Sequence, residues 1–180
     1  MEKMTITEAL SEVNLLKKKL ENKKKHALGH LVKPEHSPDF YSNEGGTPAF
    51  LKREFQSIDD LHKRLIKIRA AISRANLENE IIIGERTQSI HDWLIWKREI
   101  AEDETNFYKT IVSTVKSNLD EAAKNPRCYD DNEGKKQLLK VQSNVDYAFF
   151  VKKQEQMSEL FEQLDGKLSL KNATIVVSID

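Results

Sequence analysis

SIDDLHKRLIKIRAAISRAN, residues Ser57–Asn76, repeats its apolar side chains with a helical period. Ile58, Leu61, Leu65, Ile68, Ile72 and Ala75 fall at steps of 3, 4, 3, 4 and 3. That spacing builds one stripe along one side of an α-helix, the heptad seam that a helix turns toward a partner helix. Upstream, Thr47-Pro48 reads as a cap followed by proline in the first turn, so the helix is expected to open there. Asn76 tolerates the left-handed conformation and is expected to close it. Ile81-Ile82-Ile83, bounded by Gly84, then reads as a short strand.

The same signals recur on both sides of this helix. Toward the N-terminus, Thr5 and Glu8 form a capping box ahead of Ile6, Leu10, Val13, Leu16 and Leu20, a helix that fades near Gly29. Residues 31–46 hold two prolines and a Gly-Gly pair and read as a long loop, a kind usually functional or packed on a partner. Toward the C-terminus, a third helix starts near Ser89, with Asp92 in its first turn, and stops at Asn125-Pro126. Its expected buried face is Trp93, Trp96, Ile100, Phe107, Ile111, Val115, Leu119 and Ala122. After a polar loop, with 138–141 extended, a fourth helix is capped near Asp146. Its seam is Tyr147, Phe150, Gln154, Met157, Phe161, Leu164 and Leu168, with Gln154 as a polar register-setter. The chain finishes on Ala173-Thr-Ile-Val-Val-Ser-Ile179, a strand signal. Ile72–Asn76 before one strand echoes Leu168–Asn172 before the other, as a tandem duplication would. Such short strands are not stable alone, so they are expected to pair with each other or with 138–141.

The fold class is therefore mostly α, an elongated coiled-coil-like bundle of antiparallel helical hairpins with a small β element. It is read as one domain over residues 1–180, or as tandem hairpins over 1–84 and 85–180. The third helix would span ~54 Å at ~1.5 Å per residue, longer than a compact chain of this size is wide. Much of its apolar stripe then needs cover from outside the chain.

Composition narrows the function classes. With 29 Lys+Arg against 29 Asp+Glu, the 180 residues carry zero formal charge, which disfavours wholesale coating of nucleic acid. No apolar run approaches a membrane span, and MEKMTITEAL lacks a signal-peptide pattern. The expectation is a cytoplasmic or virion-associated protein that is not secreted, with Asn172-Ala-Thr174 a chance glycosylation pattern. Cys128 alone allows neither an intrachain disulfide nor a cysteine zinc cluster.

Four segments resemble the septicolysin-like family of small bacterial helical proteins. They are TITEALSEVNLLKKKLENKKK (Thr5–Lys25), Ile72–Asn76, GERTQSIHDWLIWKREI (Gly84–Ile100) and VQSNVDYAFFVKKQEQMSELFEQLDGKLSLKN (Val141–Asn172). The resemblance runs in order from Thr5 to Asn172 and implies a helical architecture. The family's name points to a toxin, without implying a mechanism or a catalytic residue. The loop at 31–46 and the late Ile-Val-Val strand depart from the family's pattern.

Several constellations invite chemistry. His26 and His30, with His36 nearby, have metal-chelating spacing, but lysines flank them and solvated histidines are the simpler reading. Glu159, Glu162 and Asp165, facing Glu99, Glu102 and Asp103, would suit the magnesium site of a nucleotide hydrolase; flanks of a coiled-coil seam carry such acids too. Lys17, Lys18, Lys19, Lys23, Lys24 and Lys25 can neutralise phosphates but lack interleaved aromatics for base stacking. Trp93 and Trp96 suit either a core or an interface, and Cys128 has no base near it in sequence. The expectation is a non-enzymatic assembly protein without a cofactor, oligomeric or docked on a larger particle, such as a bacteriophage capsid-decorating or connector component. Its expected contact residues are Trp93, Trp96, Phe107, Ile111 and Val115. A nucleic-acid accessory protein using the lysine run is the alternative, and a metal-dependent nucleotide hydrolase the third reading.

Overall fold

The computed structural model describes residues 2–130, 132–133 and 135–179. Strand β1 (Glu2–Thr5) leads into α1 (Ile6–Leu28), and a loop with a 3-10 turn at Ser42–Glu44 leads to α2 (Gly46–Glu78). A hairpin of β2 (Glu80–Ile83) and β3 (Arg86–Ser89) follows. Then α3 (Ile90–Ile95), a π turn (Trp96–Ile100) and α4 (Ala101–Lys124) run on as one helical stretch. Strands β4 (Cys128–Asp130) and β5 (Lys136–Leu138), helix α5 (Tyr147–Thr174) and strand β6 (Val176–Ile179) complete the order. The architecture is mostly α with small strand pairs, as the periodicity predicts.

The chain divides into two compact units, Met1–Glu80 with Leu168–Asp180, and Ile81–Lys167. A division after residue 84 is therefore corrected: it falls after Glu80, and the C-terminal strand returns to the first unit. The cause is strand pairing. β6 lies antiparallel to β1, from Glu2 opposite Ile179 to Thr5 opposite Val176. β2 pairs with β3 across the two-residue turn Gly84-Glu85, where Gly84 holds a positive φ of 58°. β5 pairs with β4. The expected pairing of the 81–83 strand with the C-terminal one does not occur, because each finds a partner in a segment just before a helix.

In the first unit α1 and α2 form an antiparallel hairpin. Ile6, Ala9, Val13 and Leu16 meet Ile68, Ala71, Ile72 and Ala75, and Val177 and Ile179 of β6 close the end. Each large aliphatic buried there contributes roughly 1.5–3 kcal/mol against exposure. The capping box at Thr5 is present: its Oγ1 accepts from Glu8 N at 3.2 Å and Glu8 Oε2 accepts from Thr5 N at 2.7 Å. Arg64 of α2 grips Glu12 of α1 with two bonds of 2.8 and 3.2 Å and also meets Glu2.

Helix α2 departs from the expected boundaries at both ends. It opens at Gly46, after Gly45 at φ 89°, and Thr47 is not its cap. The loop residue Asp39 takes that role, accepting from Thr47 N at 2.9 Å and from Thr47 Oγ1 at 2.6 Å. At the far end the helix runs past Asn76 to Glu78, and the Asn79 side chain donates to Ala75 O at 2.8 Å.

In the second unit Ser89 caps α3, its Oγ accepting from Asp92 N at 3.0 Å. Trp93 is completely buried and donates its indole N–H to Ile81 O at 3.0 Å, fastening the helix to the β2–β3 hairpin. Helix α5, capped by Asp146 accepting from Phe149 N, lies antiparallel to the α3–α4 stretch. The contacts descend in order along it: Trp96 with Phe161, Lys97 with Asp165, Tyr108 with Phe150.

The π turn overturns part of the expected buried face. Five residues in that turn carry the inward side from Trp96 to Ala101, so Ile100 and Phe107 point outward. Ala101 is the only fully buried residue of α4; Glu104, Tyr108, Ile111 and Val115 are half-covered.

Each half of the chain thus reads strand, helix, loop, helix, strand. Buried Ile68, Ile72, Ile81 and Ile83 recur 96 residues later as buried Leu164, Leu168, Val177 and Ile179. Thr5-Ile6 with Glu8-Ala9 recurs 84 residues later as Ser89-Ile90 with Asp92-Trp93. Among the described residues, no helix is long and apolar enough to cross a membrane.

Candidate functional site

A cluster of aromatic side chains, two of them at least half exposed, lies where α4 faces α5. Phe107 and Tyr108 stand 6.0 Å apart between ring centroids, Tyr108 and Phe150 6.2 Å, and Phe150 and Phe149 5.3 Å. Phe107 is 61% exposed and Phe149 50%. Lys153 Nζ sits 5.5 Å from the Phe149 ring centre, a cation–π contact at the patch edge. Beside the aromatics runs a groove of about 450 Å³, lined by Arg86, Glu104, Tyr108, Lys153, Met157 and Glu159 among others. Glu104 is committed inside it, accepting from Trp96 Nε1 at 3.1 Å and from the Tyr108 hydroxyl at 3.3 Å. Burial, then the Glu104 carboxylate, raises the Tyr108 phenol above its ordinary value, with Arg86 opposing. The phenol therefore stays a neutral hydrogen-bond donor, and the groove lining carries side chains of both charges.

The tryptophans are not part of this surface. Trp93 and Trp96, expected as contact residues, are buried by their own unit, with both indole N–H groups bonded. The correction has a simple cause: a bonded and enclosed indole has nothing left to offer a partner. Of the other expected contact residues, Phe107 is exposed, while Ile111 and Val115 are half-covered. Tyr108, Phe149 and Phe150 complete the patch. Phe150 lay in the predicted seam, whereas Tyr108 turns toward it only through the π turn.

The lysine run does not make a stripe. At ~100° per residue, Lys17 and Lys24 flank one side of the buried face of α1, Lys19 and Lys23 the other, and Lys18 and Lys25 the back. Lys23 is held by Glu54 at 2.9 Å. The acids do not assemble either. Asp165 meets Lys97 instead of a second carboxylate, and among the described residues no three His, Cys, Asp or Glu side chains converge to hold a metal ion. The magnesium constellation expected of a nucleotide hydrolase is thus absent among those residues. Cys128 is exposed on β4.

Two of the histidines are not the free, solvated side chains of the simpler reading. His36 stays apart, but His26 and His30 both reach Tyr41 of the loop. Their Nε2 atoms lie 3.1 and 3.3 Å from its hydroxyl oxygen. Tyr41 stacks flat on buried Phe50 of α2, with 3.9 Å between ring centres and 3° between planes. Both imidazoles stand edge-on to Phe50, at 5.1 and 5.6 Å. Nothing in the 31–46 loop signals this from sequence, because one tyrosine in an aperiodic segment has no spacing to read.

Comparison with protein-family models, with curated proteins and with solved structures finds no match to this chain.

Proposed function

We propose that the protein is a non-enzymatic assembly protein that works as an oligomer or docked on a larger particle. Its finer form is a bacteriophage virion component, decorating a capsid or serving as a connector. One observation carries the proposal: over its 24 residues α4 fully buries only Ala101, while Phe107 and Phe149 stand in water on facing helices. Exposed aromatics gathered beside charged groups are what protein interfaces use as anchors. Ordering that patch against a partner would remove apolar surface that the chain leaves uncovered.

The test is the native mass of the full chain by light scattering in reducing buffer, beside that of F107D/F149D. The expected result is a multimer at micromolar concentration, or a co-purifying partner, that the double variant loses while its helical circular dichroism and melting stay unchanged. A wild-type monomer with no partner would overturn the proposal.

A further inference from the structure

We propose that His26, His30 and Tyr41 form a binding site for one divalent first-row transition ion, of the Zn²⁺ or Cu²⁺ class. The argument starts from hydrogen-bond counting. A phenol has one proton, so the Tyr41 oxygen can donate to only one of the two imidazole Nε2 atoms 3.1 and 3.3 Å away and must accept from the other. The phenol oxygen and the two Nε2 atoms thus stand together, each N···O pair at hydrogen-bond distance and each carrying its own proton.

The spacing suits an ion. Donors bound at ~2.0–2.1 Å with tetrahedral angles stand ~3.3 Å apart. The two N···O separations, 3.1 and 3.3 Å, lie close to that edge. Two nitrogens and one oxygen suit Zn²⁺ and Cu²⁺ and disfavour Mg²⁺ and Ca²⁺, which take all-oxygen shells. The set leaves a fourth position for water.

The surroundings hold the donors in place. The Phe50 ring floors all three side chains. Tyr41 is fixed again through its backbone N–H, which donates to Asp39 Oδ1 at 3.0 Å. The histidines sit at the C-terminal end of α1, whose last carbonyls favour a cation. The exposed Lys24 and Lys25 oppose it, while Lys23 is neutralised by Glu54. Binding displaces the phenol proton: the imidazole that donated through Nε2 carries its proton on Nδ1 instead, both imidazoles coordinate in the neutral form through Nε2, Tyr41 coordinates as phenolate, and the phenol proton leaves to solvent. The ion would clasp the 31–46 loop to the end of α1.

The experiment titrates the full chain with ZnCl₂ by calorimetry and with CuCl₂ by absorbance, beside H26Q, H30Q and Y41F. The expected result is one ion per chain, a phenolate-to-copper charge-transfer band, and roughly tenfold or greater weakening in each variant, with the band lost in Y41F. Y41F keeps the ring stacked on Phe50 and loses only the two hydroxyl contacts, so without metal it should keep the helical circular dichroism of wild type, which separates ligation from folding. Y41F binding as tightly as wild type would show an adventitious histidine pair and overturn the site, as would wild type binding no Zn²⁺ or binding Mg²⁺ equally well.

Discussion

Asp39 sits in a loop without regular structure, yet its carboxylate accepts from Tyr41 N, Thr47 N and Thr47 Oγ1. Those bonds, the Thr47 hydroxyl first, hold its pKa at about 2, below the ordinary 3.8. A depressed folded pKa means that the charged form stabilises the fold. The contribution is complete above 3.8 and is lost as the pH falls toward about 2. Asp39→Asn should therefore melt below wild type at pH 7, with the gap closing as the pH approaches 2. Melting curves across that range check it; a gap that persists at pH 2 would exclude the carboxylate charge as the cause. Local caps were legible from sequence because donor and acceptor lie three residues apart, as at Thr5–Glu8 and Ser89–Asp92. Asp39 was not, since it lies eight positions before Thr47 in an aperiodic loop, and Thr47-Pro48 imitates a cap by itself.

At the scale of the helix, the π turn at Trp96–Ile100 decides which side of α4 faces inward. A regular period carries the buried stripe through Ile100 to Phe107; one extra residue in the turn carries it to Ala101, Glu104 and Tyr108. The helices themselves were legible in number and rough extent, because a seam such as Ile58–Ala75 or Phe150–Leu168 repeats often enough to read. A register change inside a helix leaves no repeat, so Phe107 reads as core and stands in water. The two registers differ in what a substitution does. Ala101 is completely buried, so Ala101→Leu should destabilise the fold by roughly 1–3 kcal/mol through overpacking. Ile100→Ser, on the outer side, should change it by less than ~0.5 kcal/mol. Urea unfolding of both variants distinguishes the registers, and equal losses would contradict the π turn.

At the scale of the whole chain, both halves follow the order strand, helix, loop, helix, strand, and the closing strand of each half pairs with the opening strand of the other. Part of this was legible: Ile72–Asn76 and Leu168–Asn172 announce the repeat. The pairing was not, because short strands carry little register information and their partners are chosen by tertiary position. Glu2 lies opposite Ile179, so the first and last described residues are neighbours. The β2–β3 turn at Gly84-Glu85 is the counterpart of that junction. A circular permutant joined from Ile179 to Glu2 by a short Gly/Ser linker, with new ends at Gly84-Glu85, exchanges one connection for the other. It should fold with stability within roughly 2 kcal/mol of the parent, since loop closure changes only slowly with length. Circular dichroism and urea unfolding test it, and an unfolded permutant would refute the equivalence of the two junctions.

The solitary thiol of Cys128, solvent-facing on β4, bears on how any mass measurement is read. In air, two such thiolates on different molecules can be oxidised to one intermolecular bridge, and the apparent size doubles without a single aromatic ring touching another. A dimer that falls apart in dithiothreitol would report sulfur chemistry, whereas one that survives it, and survives Cys128→Ser, must be held by side chains.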